Sequence, residues 1–79
     1  DFNSRLYGIK AKNMFALLNA ARNVKGVVDC YPFGEKHHVI ADDKFRLDEF
    51  KKQLNNLDGL EITEENPSIE DVFIRLMKR

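Results

Sequence analysis

The sequence predicts one small α+β domain whose elements follow in the order β-α-β-β-α-β-α. Apolar residues alternate with other residues in four short stretches, as is typical of strands, and recur every three or four residues in three longer stretches, as is typical of helices. Gly26 and Gly59 follow the first two helical stretches and separate each of them from a strand. A chain of 79 residues suits a single domain with a modest core.

Two similar phrases predict how these elements are arranged. Residues 23–27 (Asn-Val-Lys-Gly-Val) and 56–60 (Asn-Leu-Asp-Gly-Leu) each close a helix and begin a strand, about one β-α-β unit apart. This echo favours a ferredoxin-like split β-α-β sandwich with an additional C-terminal helix. In that topology the second and fourth strands form the sheet edges. An edge suits Pro32 of the second strand, because proline cannot donate a backbone hydrogen bond to a neighbour.

The first half of the chain has clear local signals. Asn13 is a suitable N-cap for the first helix, and Gly26 suits the left-handed position after its end. A tight turn at residues 34–36 predicts that the second and third strands are antiparallel neighbours. The predicted strands of this half are residues 5–12, 27–33 and 37–41.

The second half continues with a helix and a strand. Asp42 and Asp43 are expected to cap the second helix with negative charge. Gly59 ends that helix, and residues 60–64 alternate as a strand with one wet face. The apolar stripe of the second helix is Leu47, Phe50, Leu54 and Leu57.

A well-marked terminal helix follows Pro67. Ser68 and Asp71 form a pair like a capping box, in which Asp replaces the usual Glu or Gln. Lys78 and Arg79 place positive charge at the carboxyl end, which is favourable there. We expect the apolar stripe of this helix to face the core, and it consists of Ile69, Val72, Phe73 and Leu76.

Residues 67–76 (Pro-Ser-Ile-Glu-Asp-Val-Phe-Ile-Arg-Leu) resemble a segment of bacterial ABC transporters. Many of their ATP-binding subunits end in Pro-Ser-(Leu/Ile)-Glu-Asp-(Val/Ile)-Phe, which closes a small C-terminal accessory domain. Outside this segment the chain matches that domain in layout. The resemblance implies that residues 1–79 are a single non-catalytic accessory domain, a fragment of a longer ATP-binding protein.

The resemblance also implies partners and a location. The domain would contact its own ATPase domain and the second copy of the subunit, and through them the transmembrane subunits. The parent would bind ATP and magnesium and hydrolyse ATP to drive transport. The domain would then be cytoplasmic, at the inner face of the cell membrane through the transporter complex.

The chain itself lacks the motifs of common active sites. It contains neither the glycine-rich phosphate loop nor the signature motif of an ATPase, so we predict no catalytic or cofactor-binding residue in it. His37 and His38 are adjacent in a strand and should point to opposite faces, which disfavours a metal site. Cys30 is the single cysteine, has no Cys-His signature and is expected to be structural.

Charge and hydropathy exclude two kinds of partner. The 13 basic and 13 acidic residues balance, and the predicted third strand has no aromatic residue on which RNA bases could stack. We therefore expect no nucleic acid partner. No apolar run approaches the ~18 residues that span a bilayer, so we expect no direct membrane insertion.

One interpretation of the remaining apolar surface is that part of it contacts another protein chain. Ile74 lies about 140° around the helix from Ile69, beyond the edge of the terminal stripe and beside charged residues, so we expect the isolated domain to leave it in a wet setting. The other interpretation, which the sequence favours, is that the terminal helix packs across the open face of the sheet and hides this surface. The candidate interface residues are Tyr31, Phe33, Glu70, Ile74 and Lys78.

The alternative function is a small-molecule-binding regulatory module of ferredoxin-like fold. Such modules bind effectors between paired copies, often through a glycine-rich loop after the first strand. Here residues 11–14 (Ala-Lys-Asn-Met) occupy that junction, which disfavours this alternative.

Overall fold

The computed structural model describes residues 5–78 and confirms the predicted order of elements. They form a four-stranded sheet in the order β2-β3-β1-β4, and each neighbouring pair is antiparallel. This is the ferredoxin-like split β-α-β arrangement, with β2 and β4 at the edges as predicted. The elements are β1 (Arg5–Lys10), α1 (Met14–Arg22), β2 (Val27–Phe33), β3 (Lys36–Ala41), α2 (Leu47–Leu54), β4 (Glu61–Glu65) and α3 (Ile69–Met77).

The main core lies between one face of the sheet and helices α1 and α2. Tyr7, Phe45 and Phe50 form an aromatic cluster at its centre, with successive ring centroids 5.2 Å apart. Burial of large apolar side chains is the main stabilising contribution in a domain of this size. The buried members of this core are Tyr7, Ile9, Ala11, Leu17, Ala21, Val24, Cys30, Val39, Ala41, Phe45, Phe50 and Leu54.

The predicted cap and glycine positions of the first half are confirmed. Asn13 Oδ1 accepts a hydrogen bond from the Ala16 backbone at 2.9 Å, which caps α1. Gly26 has φ +88°, and a Cβ at this position would also collide with the backbone of Phe45. Both the backbone conformation and the close approach therefore require glycine there.

The prediction that Asp42 and Asp43 cap the second helix is wrong. Helix α2 begins at Leu47, and the residue before it makes no side-chain capping bond. Asp42 Oδ1 instead accepts from the Lys44 backbone at 2.8 Å within a turn. The physical reason is the burial of Phe45. Residues 42–46 are not helical, and this conformation places the Phe45 side chain in the core between β3 and α2.

Helix α3 crosses the other face of the sheet. Its side chain Ile74 packs against a second buried cluster of Leu6, Tyr31 and Ile40. Ser68 caps the helix, and the capping box with Asp71 is confirmed. Arg79, which was predicted to close the helix, lies outside the described residues.

The prediction that the stripe of α3 faces the core is wrong. Ile69, Phe73 and Leu76 point away from the sheet and are exposed, and Val72 is partly buried. The side of α3 that meets the sheet instead carries Asp71, which is fully buried. Within residues 5–78, no helix combines the length and the apolar character needed to cross a membrane.

Candidate functional site

The candidate functional site is the contact between helix α3 and the sheet. Tyr31 of β2 and His38 of β3 are direct partners in the antiparallel register, and both point toward α3. Asp71 Oδ1 accepts a hydrogen bond from the Tyr31 hydroxyl at 2.7 Å and lies 2.6 Å from His38 Nδ1. All three side chains are buried, and Asp71 is 0% exposed.

The same carboxylate also begins the helix. Asp71 Oδ2 accepts from the Ser68 backbone N–H at 2.9 Å and from the Ser68 hydroxyl at 3.0 Å. In return, the Asp71 backbone N–H donates to Ser68 Oγ at 3.2 Å. One side chain therefore closes the capping box with one oxygen and attaches the helix to the sheet with the other.

Hydrogen bonding determines the charge of this group. Burial by itself would raise the pKa of Asp71, but the hydrogen bonds from Ser68, Tyr31 and His38 outweigh it and lower the pKa below its ordinary value. Burial raises the pKa of Tyr31, and the hydrogen bond that its hydroxyl donates to Asp71 raises it further. Asp71 is thus a buried carboxylate, and Tyr31 is a neutral phenol that donates to it.

A second polar group lies on the same sheet face, beside Gly8. Lys36 Nζ lies 2.9 Å from Glu65 Oε2, and the Thr63 hydroxyl donates to the same oxygen at 2.9 Å. A Cβ on Gly8 would collide with the Glu65 carboxylate, so glycine leaves the space that this contact occupies. The hydrogen bonds from Lys36 and Thr63 lower the pKa of Glu65. This group tethers β4 to β3 across β1.

The side of α3 that points away from the sheet is apolar, and we call it the outer face. It consists of Ile69, Phe73, Leu76 and Met77, whose side chains are 69%, 58%, 48% and 78% exposed. Glu70 is exposed beside them. A contiguous apolar surface on a small domain marks an interaction site more often than a scattered exposed residue does. Phe15 on α1 is such a scattered residue, since it is 76% exposed on a different helix.

Three of the five predicted interface residues lie in the contact between α3 and the sheet. Tyr31 is buried against Asp71, and Phe33 stacks on the His38 ring with centroids 4.2 Å apart. Ile74 is half-buried against apolar neighbours. The prediction that it has a wet setting is therefore wrong.

The other two predicted interface residues remain accessible. Lys78 Nζ lies 3.4 Å from Asp29 Oδ2 at the edge of the contact, and its side chain is about half-exposed. Glu70 points to solvent on the outer face. Sequence reasoning missed the outer face and the attachment through Asp71. A signal for this attachment was present in the sequence. Strand alternation, combined with the register of the β2–β3 hairpin, places Tyr31 and His38 side by side on one face. Once a helix covers that face, both polar groups need a hydrogen-bond partner.

The remaining chemically interesting side chains lie on the opposite side of the sheet. His37 and His38 point to opposite faces, as predicted, and His37 Nε2 donates to the Met14 carbonyl at 2.7 Å. Burial raises the pKa of Cys30 to about 11; Arg22 opposes this shift, and Asp29 adds to it. Among residues 5–78, no group of three or more His, Cys, Asp or Glu side chains is arranged to hold a metal ion.

An open groove lies beside α2 and β4. Its volume is about 450 Å³, and it combines one cationic, one amide and two apolar side chains. If the chain bound a small molecule, as the alternative function supposes, this groove would offer space for it. The lining residues are Lys51, Asn55, Leu60 and Ile62.

Comparisons with protein-family models, curated proteins and solved structures find no match to this chain. The function is therefore inferred from the geometry of the chain and from the residues of α3.

Proposed function

We propose that this chain is a non-catalytic protein-interaction domain that docks through the outer face of α3. We further propose that it is the C-terminal accessory domain of an ABC transporter ATP-binding subunit. The observation that supports docking is the orientation of α3: the buried carboxylate of Asp71 holds the helix with its apolar side toward solvent.

Exposure of the apolar outer face to water is unfavourable, so burial of this face against a partner would favour binding. Burying one large apolar side chain contributes roughly 1.5–3 kcal/mol, and the outer face offers four of them. The helix is fixed at its start by the capping box and along its inner side by Asp71 and Ile74. A surface that is already ordered loses little conformational entropy on binding, so more of the burial energy is available as affinity.

The transporter assignment is supported by which residues match the family segment. Residues 67–76 contain Ser68 and Asp71, which build the attachment of α3, and also Ile69, Phe73 and Leu76 of the outer face. The segment that resembles the transporter subunits is thus the segment that forms the docking surface. In this proposal ATP and magnesium bind to the ATPase domain of the longer protein, and the partners are that domain and the second subunit copy. The transmembrane subunits then hold the assembly at the inner face of the cell membrane.

The coding sequence upstream of Asp1 tests this assignment directly. We expect it to encode a domain with a phosphate loop and a signature motif. The longer protein with Phe73→Asp should lose ATP-dependent dimerisation or ATPase activity, whereas Phe15→Asp, which adds the same charge at an exposed phenylalanine, should not. A different upstream domain, or equal activity of both variants, would contradict the proposal.

A second test uses the chain by itself. It should not bind Mg-ATP, because the sequence has no phosphate loop. Amide chemical shifts followed by NMR during a Mg-ATP titration measure this. Saturable shifts clustered at one site would contradict the non-catalytic assignment.

A further inference from the structure

We propose that the outer face of α3 binds the outer face of a second copy of this chain. In this arrangement the two helices are antiparallel, and a twofold axis passes beside Phe73. The inference rests on the proposed docking role of α3 and names its partner.

The spacing of the outer face makes it complementary to itself. At 100° per residue, Phe73 lies at the centre of the face, Ile69 and Leu76 on one flank, and Glu70 and Met77 on the other. A twofold axis perpendicular to the helices reverses the direction along the helix but keeps each flank on its own side. Phe73 then meets Phe73 of the second copy, Ile69 falls opposite Leu76, and Glu70 falls opposite Met77. Each apolar residue of one flank thus has an apolar partner.

Charge selects the antiparallel orientation over the parallel one. Glu70 is exposed in the first turn of α3. Lys78, at the other end and about 80° around the helix from Glu70, lies with Nζ 3.4 Å from Asp29 Oδ2 of its own chain, and its side chain is still about half-exposed. The antiparallel pair brings Glu70 near Lys78 of the second copy, whereas a parallel pair places Glu70 opposite the apolar flank of Ile69 and Leu76 and gives it no cationic partner. Antiparallel helices also place the positive end of one dipole beside the negative end of the other.

The size of the face predicts a weak dimer. Specific interfaces typically bury roughly 800 Å² of surface on each partner. A face of four large side chains on a nine-residue helix is at the small end of interface sizes. A weak contact becomes effective when two copies are held in one assembly, because the effective concentration there is high. An accessory domain present twice in one complex meets this condition.

Sedimentation equilibrium of the 79-residue chain over a wide concentration range tests the dimer. We expect a reversible monomer–dimer equilibrium. Phe73→Asp should raise Kd by roughly thirtyfold or more, as expected for a central aromatic residue of an interface. The matched control Phe15→Asp should leave Kd unchanged. The melting temperature of both variants at low concentration should match that of the wild type, which shows that the fold is retained.

Crosslinking tests the position of the axis. Under mild oxidation, Phe73→Cys should form a disulfide-linked dimer, because the two introduced thiols face each other. Phe15→Cys should not, and the buried Cys30 should not contribute. A chain that stays monomeric at all concentrations, a dimer insensitive to Phe73→Asp, or equal crosslinking of the two cysteine variants would overturn the inference.

These results are distinguishable from failure of the proposed function. A monomeric chain with an ATPase domain encoded upstream would reject the second copy as partner and leave the accessory-domain assignment. A dimer that depends on Phe73, with no ATPase domain upstream, would support the inference and reject the transporter assignment.

Discussion

The carboxylate of Asp71 lies 2.6 Å from Nδ1 of His38, and this contact joins helix α3 to a central strand of the sheet. The contact is fully buried and includes the Tyr31 hydroxyl. A buried charge is unfavourable unless its hydrogen bonds are made, so α3 has a strong preference for the orientation that makes them. That orientation turns Phe73 and its apolar neighbours outward.

Replacing the carboxylate should destabilise the domain. Asp71→Ala removes the acceptor for Tyr31 and His38 and leaves both polar groups buried, which we expect to cost about 1–3 kcal/mol for each group. The adjacent Glu70→Ala changes an exposed carboxylate and should stay within about 0.5 kcal/mol of wild type. Urea denaturation followed by circular dichroism measures both. Similar midpoints for the two variants would show that the buried network does not stabilise α3.

Acid should weaken the same contact. The pKa of Asp71 is lower in the folded chain than in the unfolded one, where it is about 3.9. The carboxylate therefore adds stability above about pH 4, and this contribution is lost as the pH falls through the folded pKa. Glu65 behaves in the same direction.

We expect the free energy of unfolding to fall between about pH 5 and pH 2, and to fall less steeply in Asp71→Asn, which keeps the contribution of Glu65. Urea titrations at a series of pH values measure this slope. Identical slopes in the two proteins would mean that Asp71 does not titrate with a lowered pKa.

The order of the elements could be predicted because their signals are local. Asn13 needs only its own helix to act as a cap, and Gly26 is required by the backbone angle at one residue. Edge placement of Pro32 follows from a missing donor. The start of α2 was misplaced because a tertiary requirement, burial of Phe45, overrode the local capping signal of Asp42.

The orientation of α3 could not be predicted from its own periodicity. An apolar stripe indicates the buried side of a helix when the surface that it meets is apolar throughout. Here that surface contains the Tyr31 hydroxyl and the His38 ring, and these groups need Asp71 as a partner. The capping box alone explains an aspartate at position 71, so no pattern along the chain indicates that its second oxygen contacts the sheet.

The outer face of α3 should tolerate truncation of a phenylalanine far better than the core does. Phe73→Ala should change the free energy of unfolding by no more than about 1 kcal/mol, because the ring is 58% exposed. Phe50→Ala, with a ring that is 0% exposed, should cost about 3–5 kcal/mol. Urea midpoints at low protein concentration compare them. A severe loss in Phe73→Ala would mean that the outer face packs within the chain.

On the inner side of α3, Ile74→Glu should be strongly destabilising. It places a carboxylate against Leu6, Tyr31 and Ile40, where burial would remove much of its hydration. The matched control Met77→Glu adds the same charge on the outer face and should be tolerated. Thermal melting by circular dichroism measures both. Equal melting temperatures would show that Ile74 does not contribute to the fold.

Cys30 should be almost unreactive in the folded chain. Its thiol is 0% exposed in the core between the sheet and α1–α2, and burial raises its pKa to about 11. At pH 8 only about one molecule in a thousand would carry the reactive thiolate even if a reagent could reach it. Labelling with an aromatic disulfide, followed by absorbance, should therefore be slow in buffer and fast in concentrated urea.

Phe15→Cys provides the control, since its introduced thiol lies on an exposed position of α1 and should react at once while Cys30 in the same chain does not. Rapid labelling of native Cys30 would mean that α1 and β2 separate readily, and would contradict the closed core described for this face of the sheet.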